Sequence, residues 1–224
     1  MGEKKDVPLR RALQTIPATE SNLGGDFLAY VYGPVPSWRL GRSLGIDLLS
    51  VREKTCPFDC IYCQLGRTVN KQIRREKFID LRLLQAELET IKDKVRADYA
   101  TFSGTGEPTL ACNLGKAIEL VKNILSLPVA ILTNAALLKD EEVLFSLLKA
   151  DLVIAKLDAS RIAPDEVQIN TPIRPCPVKP LSQEEIAAIQ REFFALKKVT
   201  TVYEATRPIV APLNLAETIR RRPG

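Results

Sequence analysis

The chain has 224 residues, of which 46% are hydrophobic and 26% charged, which is typical of one globular domain and not of a disordered chain. Its net charge of +5 is too small to indicate a nucleic-acid partner on its own. It contains no histidine, which excludes a Ser-His-Asp triad, a Cys-His dyad and an HExxH zinc site, whereas its five cysteines can bind metal.

The N-terminal part of the sequence predicts an extension followed by a β-hairpin. Residues 1–26 are charged and show no hydrophobic periodicity, so we expect a flexible extension there and no secretory signal. Strands are predicted at residues 29–32 and 46–51, separated by a stretch rich in glycine and proline. No apolar run approaches the ~18 residues of a membrane span, and five cysteines without an export signal indicate the reducing cytoplasm.

From residue 80 onward, short apolar strands alternate with amphipathic helices. Hydrophobic residues recur at spacings of three and four in four predicted helices, at residues 80–96, 113–126, 140–149 and 182–197. Asp80 is the expected N-cap of the first helix, and Ser182 with Glu185 is the expected capping box of the last. The strands are predicted at residues 99–103, 129–132, 152–157 and 166–169. This alternation predicts an α/β fold in which helices cover a mostly parallel sheet.

Polar or metal-binding residues follow four of the predicted strands. Because the carboxyl ends of parallel strands meet at one edge of a sheet, we expect these residues to form a site. In chain order they are the cysteines Cys56, Cys60 and Cys63, the segment Gly104-Thr105-Gly106-Glu107, the pair Thr133 and Asn134, and Asp158.

The three cysteines Cys56, Cys60 and Cys63 lie within eight residues of one another in the pattern C-x3-C-x2-C. Soft thiolates in a short loop are suited to an iron–sulfur cluster. Three cysteines would leave one iron of a four-iron cluster open to a substrate or cofactor. The alternatives are three unrelated buried cysteines, or a zinc site completed by Cys112 or Cys176.

The other motifs also have plain structural interpretations. The segment 104–107 is also typical of a glycine-rich turn with a solvated glutamate, and Thr133-Asn134 is a common signal for the start of a helix. A group of arginines around the cysteine loop is interpreted as an exposed face: Arg39, Arg42, Arg67, Arg74 and Arg75.

The cysteine loop after a strand of an α/β sheet resembles the radical S-adenosylmethionine (radical SAM) superfamily. Residues 32–47 and 55–66 around it are similar to a subfamily of wyosine-synthetase-like Fe–S oxidoreductases, except that Trp38 stands where that subfamily has arginine. The resemblance covers about residues 29–200. It implies a partial (β/α) barrel over residues 27–200, which in this family has six strands. The sequence itself predicts about five parallel strands instead of six, a small N-terminal β-hairpin and a C-terminal basic tail at 201–224.

The resemblance also implies cofactors and roles for individual residues. Cys56, Cys60 and Cys63 would hold a [4Fe–4S] cluster whose fourth iron binds S-adenosylmethionine (SAM). An electron donor such as a flavodoxin or ferredoxin would reduce the cluster, and cleavage of SAM would give a 5′-deoxyadenosyl radical that removes hydrogen from an unknown substrate. The catalytic residues are not implied. The implied SAM-binding residues are Tyr62 against the adenine, Gly104, Thr105, Gly106 and Glu107 at the ammonium group, and Thr133, Asn134 and Asp158 at the carboxylate and ribose.

The sequence departs from the subfamily in two places. Wyosine-type enzymes use further cysteines for a second cluster, whereas residues 1–55 contain none, so tRNA is not supported as the substrate. Near residues 159–165 the chain is shorter than the family by about one βα unit. These departures leave two alternatives to an enzyme: a non-catalytic iron–sulfur protein for electron transfer or sensing, and a zinc-stabilised α/β binding module.

Overall fold

The computed structural model describes residues 29–156, 167–172, 178–191 and 198–222 of the chain. The extension predicted at residues 1–26, the shortened segment 159–165 and the residues Asp158 and Cys176 lie outside the described residues. The elements are, in chain order, β1 (Val31–Ser37), β2 (Gly41–Ile46), α1 (Leu81–Ile91), β3 (Tyr99–Phe102), α2 (Leu114–Leu125), β4 (Val129–Thr133), α3 (Glu141–Leu147), β5 (Leu152–Ala155), β6 (Val167–Ile169), α4 (Gln183–Arg191), β7 (Val199–Thr201) and α5 (Leu215–Arg221).

Five strands form one sheet in the order β1-β2-β3-β4-β5. β1 and β2 form an antiparallel hairpin, and β2, β3, β4 and β5 are parallel. Two further strands, β6 and β7, pair in parallel as a separate two-stranded sheet. The α/β class, the mostly parallel five-stranded sheet and the N-terminal hairpin are confirmed, and they are consistent with a partial barrel.

The hairpin lies at a different position in the sequence from the one predicted. The strand predicted at 46–51 instead runs from Gly41 to Ile46. It ends there because the carboxylate of Asp47 accepts hydrogen bonds from the backbone N–H groups of Leu49 and Ser50, which turns the chain. The glycines and prolines in 33–45, which indicate a turn-rich stretch, are part of the two strands themselves.

Helices α1 and α2 pack on the outer face of the sheet, where the hydrophobic core lies. Their buried residues have the predicted helical spacing, and Asp80 caps α1 by accepting a hydrogen bond from the Arg82 N–H at 3.0 Å. The predicted capping box of α4 is also present, because the Ser182 and Glu185 side chains each accept from the other's backbone N–H. Fully buried core residues are Leu44, Ile46, Leu84, Leu88, Phe102, Leu114, Ile118 and Ile131. Within the described ranges, no helix has the length and apolar character needed to span a membrane.

The opposite face of the sheet is its inner face, which carries smaller and more polar side chains. The strand register places Gly45, Thr101, Ala130 and Leu152 in one row across four strands. The ring of Tyr32 lies directly over Gly45, where a Cβ atom would overlap it. The Arg221 guanidinium at the end of α5 lies 5.0 Å from the centre of that ring, so α5 packs against this inner face. The segment predicted as a basic tail thus includes a docked helix.

Candidate functional site

The cysteine loop begins alongside the glycine-rich segment that follows β3. Thr55 pairs with this segment in the manner of an extra parallel strand, since its N–H donates to the Thr105 carbonyl and its carbonyl accepts from the Glu107 N–H, both at 3.2 Å. Only glycine fits at position 106, because a Cβ atom there would overlap the Thr55 carbonyl oxygen. This close approach places Cys56, which follows Thr55, at the carboxyl edge of the sheet.

Cys56, Cys60 and Cys63 are all free thiols on this loop. Cys56 is buried, which raises the pKa of its thiol, and hydrogen bonds from the Phe58 backbone and the Asn134 side chain act in the opposite direction. The Asn134 amide donates to the Cys56 sulfur at 3.3 Å, which joins the cysteine loop to the end of β4.

Three reduced thiols form a soft donor set that fits an iron–sulfur cluster in its chemistry. The Cys60 carbonyl accepts from the Cys63 N–H at 3.0 Å, so these two cysteines share a tight turn. Among the residues that the structure describes, no three His, Cys, Asp or Glu side chains are arranged as a closed metal site. The loop therefore supplies the ligands and their location, whereas their arrangement around a metal stays a prediction.

Glu107 connects the loop after β3 with the end of β4. Its carboxylate is buried and accepts from the Thr109 hydroxyl at 2.7 Å, the Thr133 hydroxyl at 2.6 Å and the Asn134 N–H at 2.7 Å. A further bond comes from the Thr109 N–H at 3.2 Å, so both carboxylate oxygens are occupied by the protein itself. Glu107 therefore holds the glycine segment and the Thr133-Asn134 pair together, and the predicted contact with SAM would fall to the backbone of that segment.

Replacing Glu107 with glutamine is expected to destabilise the protein by about 1–3 kcal/mol, because an amide nitrogen would face a hydroxyl or N–H donor in a buried place. Chemical denaturation of the purified variant measures this change. Glu89→Gln on the exposed face of α1 is the control, with an expected change within about 0.5 kcal/mol. A stability equal to that of the wild type would contradict the hydrogen bonds assigned to the Glu107 carboxylate.

Lys156 is a further residue at this edge, and no sequence motif indicates it. It directly follows β5, its N–H donates to the Thr133 carbonyl at 2.8 Å, and its ammonium lies 5.7 Å from the centre of the Tyr62 ring. Tyr62 is about half exposed and comes from the cysteine loop. Its position at the end of an apolar strand could have indicated Lys156 as a site residue, but single lysines are common at strand ends.

The segment 104–106 also depends on Asp47, which follows β2. The Thr105 N–H and hydroxyl donate to the Asp47 carboxylate at 3.1 and 3.3 Å, and Gly104 leaves the space that this carboxylate occupies. Asp47 in turn accepts from the Arg221 Nε at 2.8 Å. Asp47 and Arg221 were not predicted to belong to the site, because 174 residues separate them and neither has a local motif.

The arginines predicted to form an exposed face differ in their exposure to solvent. Arg67 and Arg74 are exposed, but the Arg75 side chain is only 10% exposed, donates to the Thr109 carbonyl at 3.1 Å and pairs with Glu142 at 2.8 Å. Arg39 is also partly enclosed, and its Nε atom is buried without a hydrogen-bond partner. The prediction is wrong for these two residues, since Arg75 is held against Thr109 and Glu142 and Arg39 is partly enclosed.

The comparisons with known proteins agree with this arrangement. A family model described as the radical SAM superfamily matches residues 54–175, which include the cysteine loop and the ends of β3, β4 and β5. A UPF0026 protein of Methanocaldococcus jannaschii is 42% identical over 135 residues, which are 59% of this chain and 41% of that protein. A UPF0026 protein of a Synechocystis species is 45% identical over 144 residues, 64% of this chain and 53% of that protein.

A more distant match is a biotin synthase of Marinobacter nauticus, which is 24% identical over 95 residues, 42% of this chain and 27% of that protein. The chain thus spans about half or less of the length of these three curated relatives.

Proposed function

The chain belongs to the radical SAM superfamily, and on that premise we propose that it is an enzyme that binds a [4Fe–4S] cluster and SAM at the carboxyl edge of its sheet. When bound, these groups would supply an electron and a 5′-deoxyadenosyl radical that removes a hydrogen atom from the substrate. The absence of histidine is compatible with this chemistry, because removal of a hydrogen atom needs no general base.

The observation that carries the proposal is the convergence of three motifs at one edge. Thr55 pairs with the glycine segment, Asn134 donates to the Cys56 sulfur, and Glu107 fastens the ends of β3 and β4 to each other. In this arrangement Cys56, Cys60 and Cys63 would hold the cluster. The Asn134 amide would support the thiolate form of Cys56, because an N–H donor favours the charged sulfur.

We propose a substrate other than tRNA. The similarity to wyosine-synthetase-like enzymes supports a shared core, but residues 1–55 contain no cysteine for the second cluster that those enzymes use. A flavodoxin or ferredoxin is the proposed electron donor, and the free thiols favour a reducing compartment such as the cytoplasm.

Anaerobic reconstitution tests this function. We expect the purified full chain to take up iron and sulfide, and after chemical reduction to convert SAM to methionine and 5′-deoxyadenosine above the level of a sample without protein. Liquid chromatography measures the products. A stable cluster without SAM cleavage would support the electron-transfer or sensing alternative instead. Zinc retained in place of iron would support the binding module and contradict the enzyme.

A further inference from the structure

Three cations come close enough to one another to interact electrostatically. They come from distant parts of the chain: Arg39 from the turn between β1 and β2, Lys156 from the end of β5, and Arg222 from the residue after α5. Within the described ranges, none of the three forms an ion pair with an aspartate or glutamate. Unpaired cations gathered by the fold need an explanation, because their mutual repulsion is unfavourable.

Arg222 is anchored at the inner face through Ser103 and Tyr32. Its Nη2 donates to the Ser103 hydroxyl at 2.7 Å, and its guanidinium lies 5.7 Å from the centre of the Tyr32 ring. Ser103 directly precedes the glycine segment, and its hydroxyl lies 3.0 Å from that of Tyr32. Arg222 is thereby held next to the segment that is predicted to bind SAM.

Arg39 contributes a buried hydrogen-bond donor to this group of cations. Its guanidinium lies 5.1 Å from the centre of the Trp38 ring, and its Nε is buried without a hydrogen-bond partner in the described structure. Buried donors in folded proteins are normally paired. Burial and the charge of Arg222 both lower the pKa of Arg39, so the two guanidinium groups are close enough to repel each other.

Lys156 belongs to the same cluster. The residue as a whole is accessible to solvent, but the protein around its ammonium displaces part of its hydration, and this lowers its pKa. The Cys63 and Cys60 thiols oppose this effect, and Arg39 and Arg222 add to it. Lys156 thus links the two arginines to the cysteine loop.

The neighbouring Arg221 shows that the chain can neutralise a cation at this place. Arg221 is fully buried, and it pairs with both Asp47 and Glu217. Arg222, the next residue, pairs with neither of these two acids. The three cations are instead backed by the aromatic rings of Trp38, Tyr32 and Tyr62, which orient a cation but leave its charge available to a ligand.

We propose that Arg39, Lys156 and Arg222 form a binding site for an anionic group, a phosphate or a carboxylate, of the substrate. The proposal rests on the proposed function, since it places this group beside the cysteine loop and the glycine segment. Guanidinium and ammonium groups both donate charge-assisted hydrogen bonds, and an oxyanion accepts several of these at once.

Titration of the full chain before cluster reconstitution tests the site independently of SAM cleavage. Inorganic phosphate and succinate, at constant ionic strength, are the two probes, and broadening of their NMR signals measures binding. We expect saturable binding of at least one probe, and the tighter probe identifies the anionic group. Arg39→Gln and Arg222→Gln should each weaken binding about tenfold or more, as expected for loss of a charge-assisted hydrogen bond.

Arg74→Gln is the matched control, because it removes the same charge from an exposed side chain and should change binding less than about twofold. Arg39→Lys and Arg222→Lys keep the charge and should recover part of the affinity, and circular dichroism establishes that each variant is folded. Equal weakening by Arg74→Gln would overturn the proposal, because it would indicate general surface charge. So would the absence of saturable binding, or Arg39→Gln and Arg222→Gln variants that lose affinity for SAM but not for the probe.

Discussion

Replacing Cys60 with alanine is expected to abolish both the iron–sulfur cluster and the cleavage of SAM. Cys60 is one of three free thiols on the loop that Thr55 fastens to the glycine segment, and it shares a tight turn with Cys63. Two remaining thiolates would leave a second iron of a four-iron cluster without a protein ligand. Iron and sulfide content after anaerobic reconstitution, and the yield of 5′-deoxyadenosine, should fall to background.

Cys112→Ala is the matched control for this experiment. Cys112 is also a free thiol, but it is exposed, and the described structure does not group it with the loop cysteines in a metal site. This variant should keep the full cluster and the full activity. A Cys60→Ala protein with normal iron content would show that the ligand assignment is wrong, whereas loss of the cluster in both variants would implicate Cys112 as a ligand.

The parts of the fold that the sequence predicts are those with local signals. The spacing of apolar residues in α1 and α2 is visible within a dozen residues, and so are the caps at Asp80 and Ser182. The sequence predicts the hairpin too far along the chain, because glycines and prolines in its strands are typical of a turn. Its pairing partners, and the turn that Asp47 makes after it, are properties of the folded chain.

The candidate site, like the fold, is predictable only where a local sequence pattern indicates it. The cysteine loop and the glycine segment were found because their spacing is itself the signal, and the match to the radical SAM superfamily covers both. The partners of Glu107 were not found, since the hydroxyl of Thr133 and the N–H of Asn134 reach it only when β3 and β4 are side by side. The cluster of Arg39, Lys156 and Arg222 has no sequence pattern, because three distant segments contribute one residue each.

Replacing Asp47 with alanine is expected to lower the free energy of unfolding by about 3–5 kcal/mol, a large share of the ~5–15 kcal/mol that stabilises a typical protein. Asp47 and Arg221 are only 1% and 0% exposed, and the Asp47 carboxylate accepts from Arg221 at 2.8 Å. Without it, the Arg221 charge stays buried with Glu217 as its remaining acid, and the Thr105 N–H loses its acceptor. Urea denaturation followed by circular dichroism measures the change.

Two further variants separate a buried ion pair from a general loss of packing. Glu89→Ala removes an acid that pairs with Lys92 on the exposed face of α1, and it should change stability by no more than about 0.5 kcal/mol. Adding Arg221→Met to Asp47→Ala should recover part of the lost stability, because the buried charge disappears together with its partner. If the two substitutions were instead additive, Asp47 and Arg221 would not be coupled, and the docking of α5 on the inner face would not depend on this ion pair.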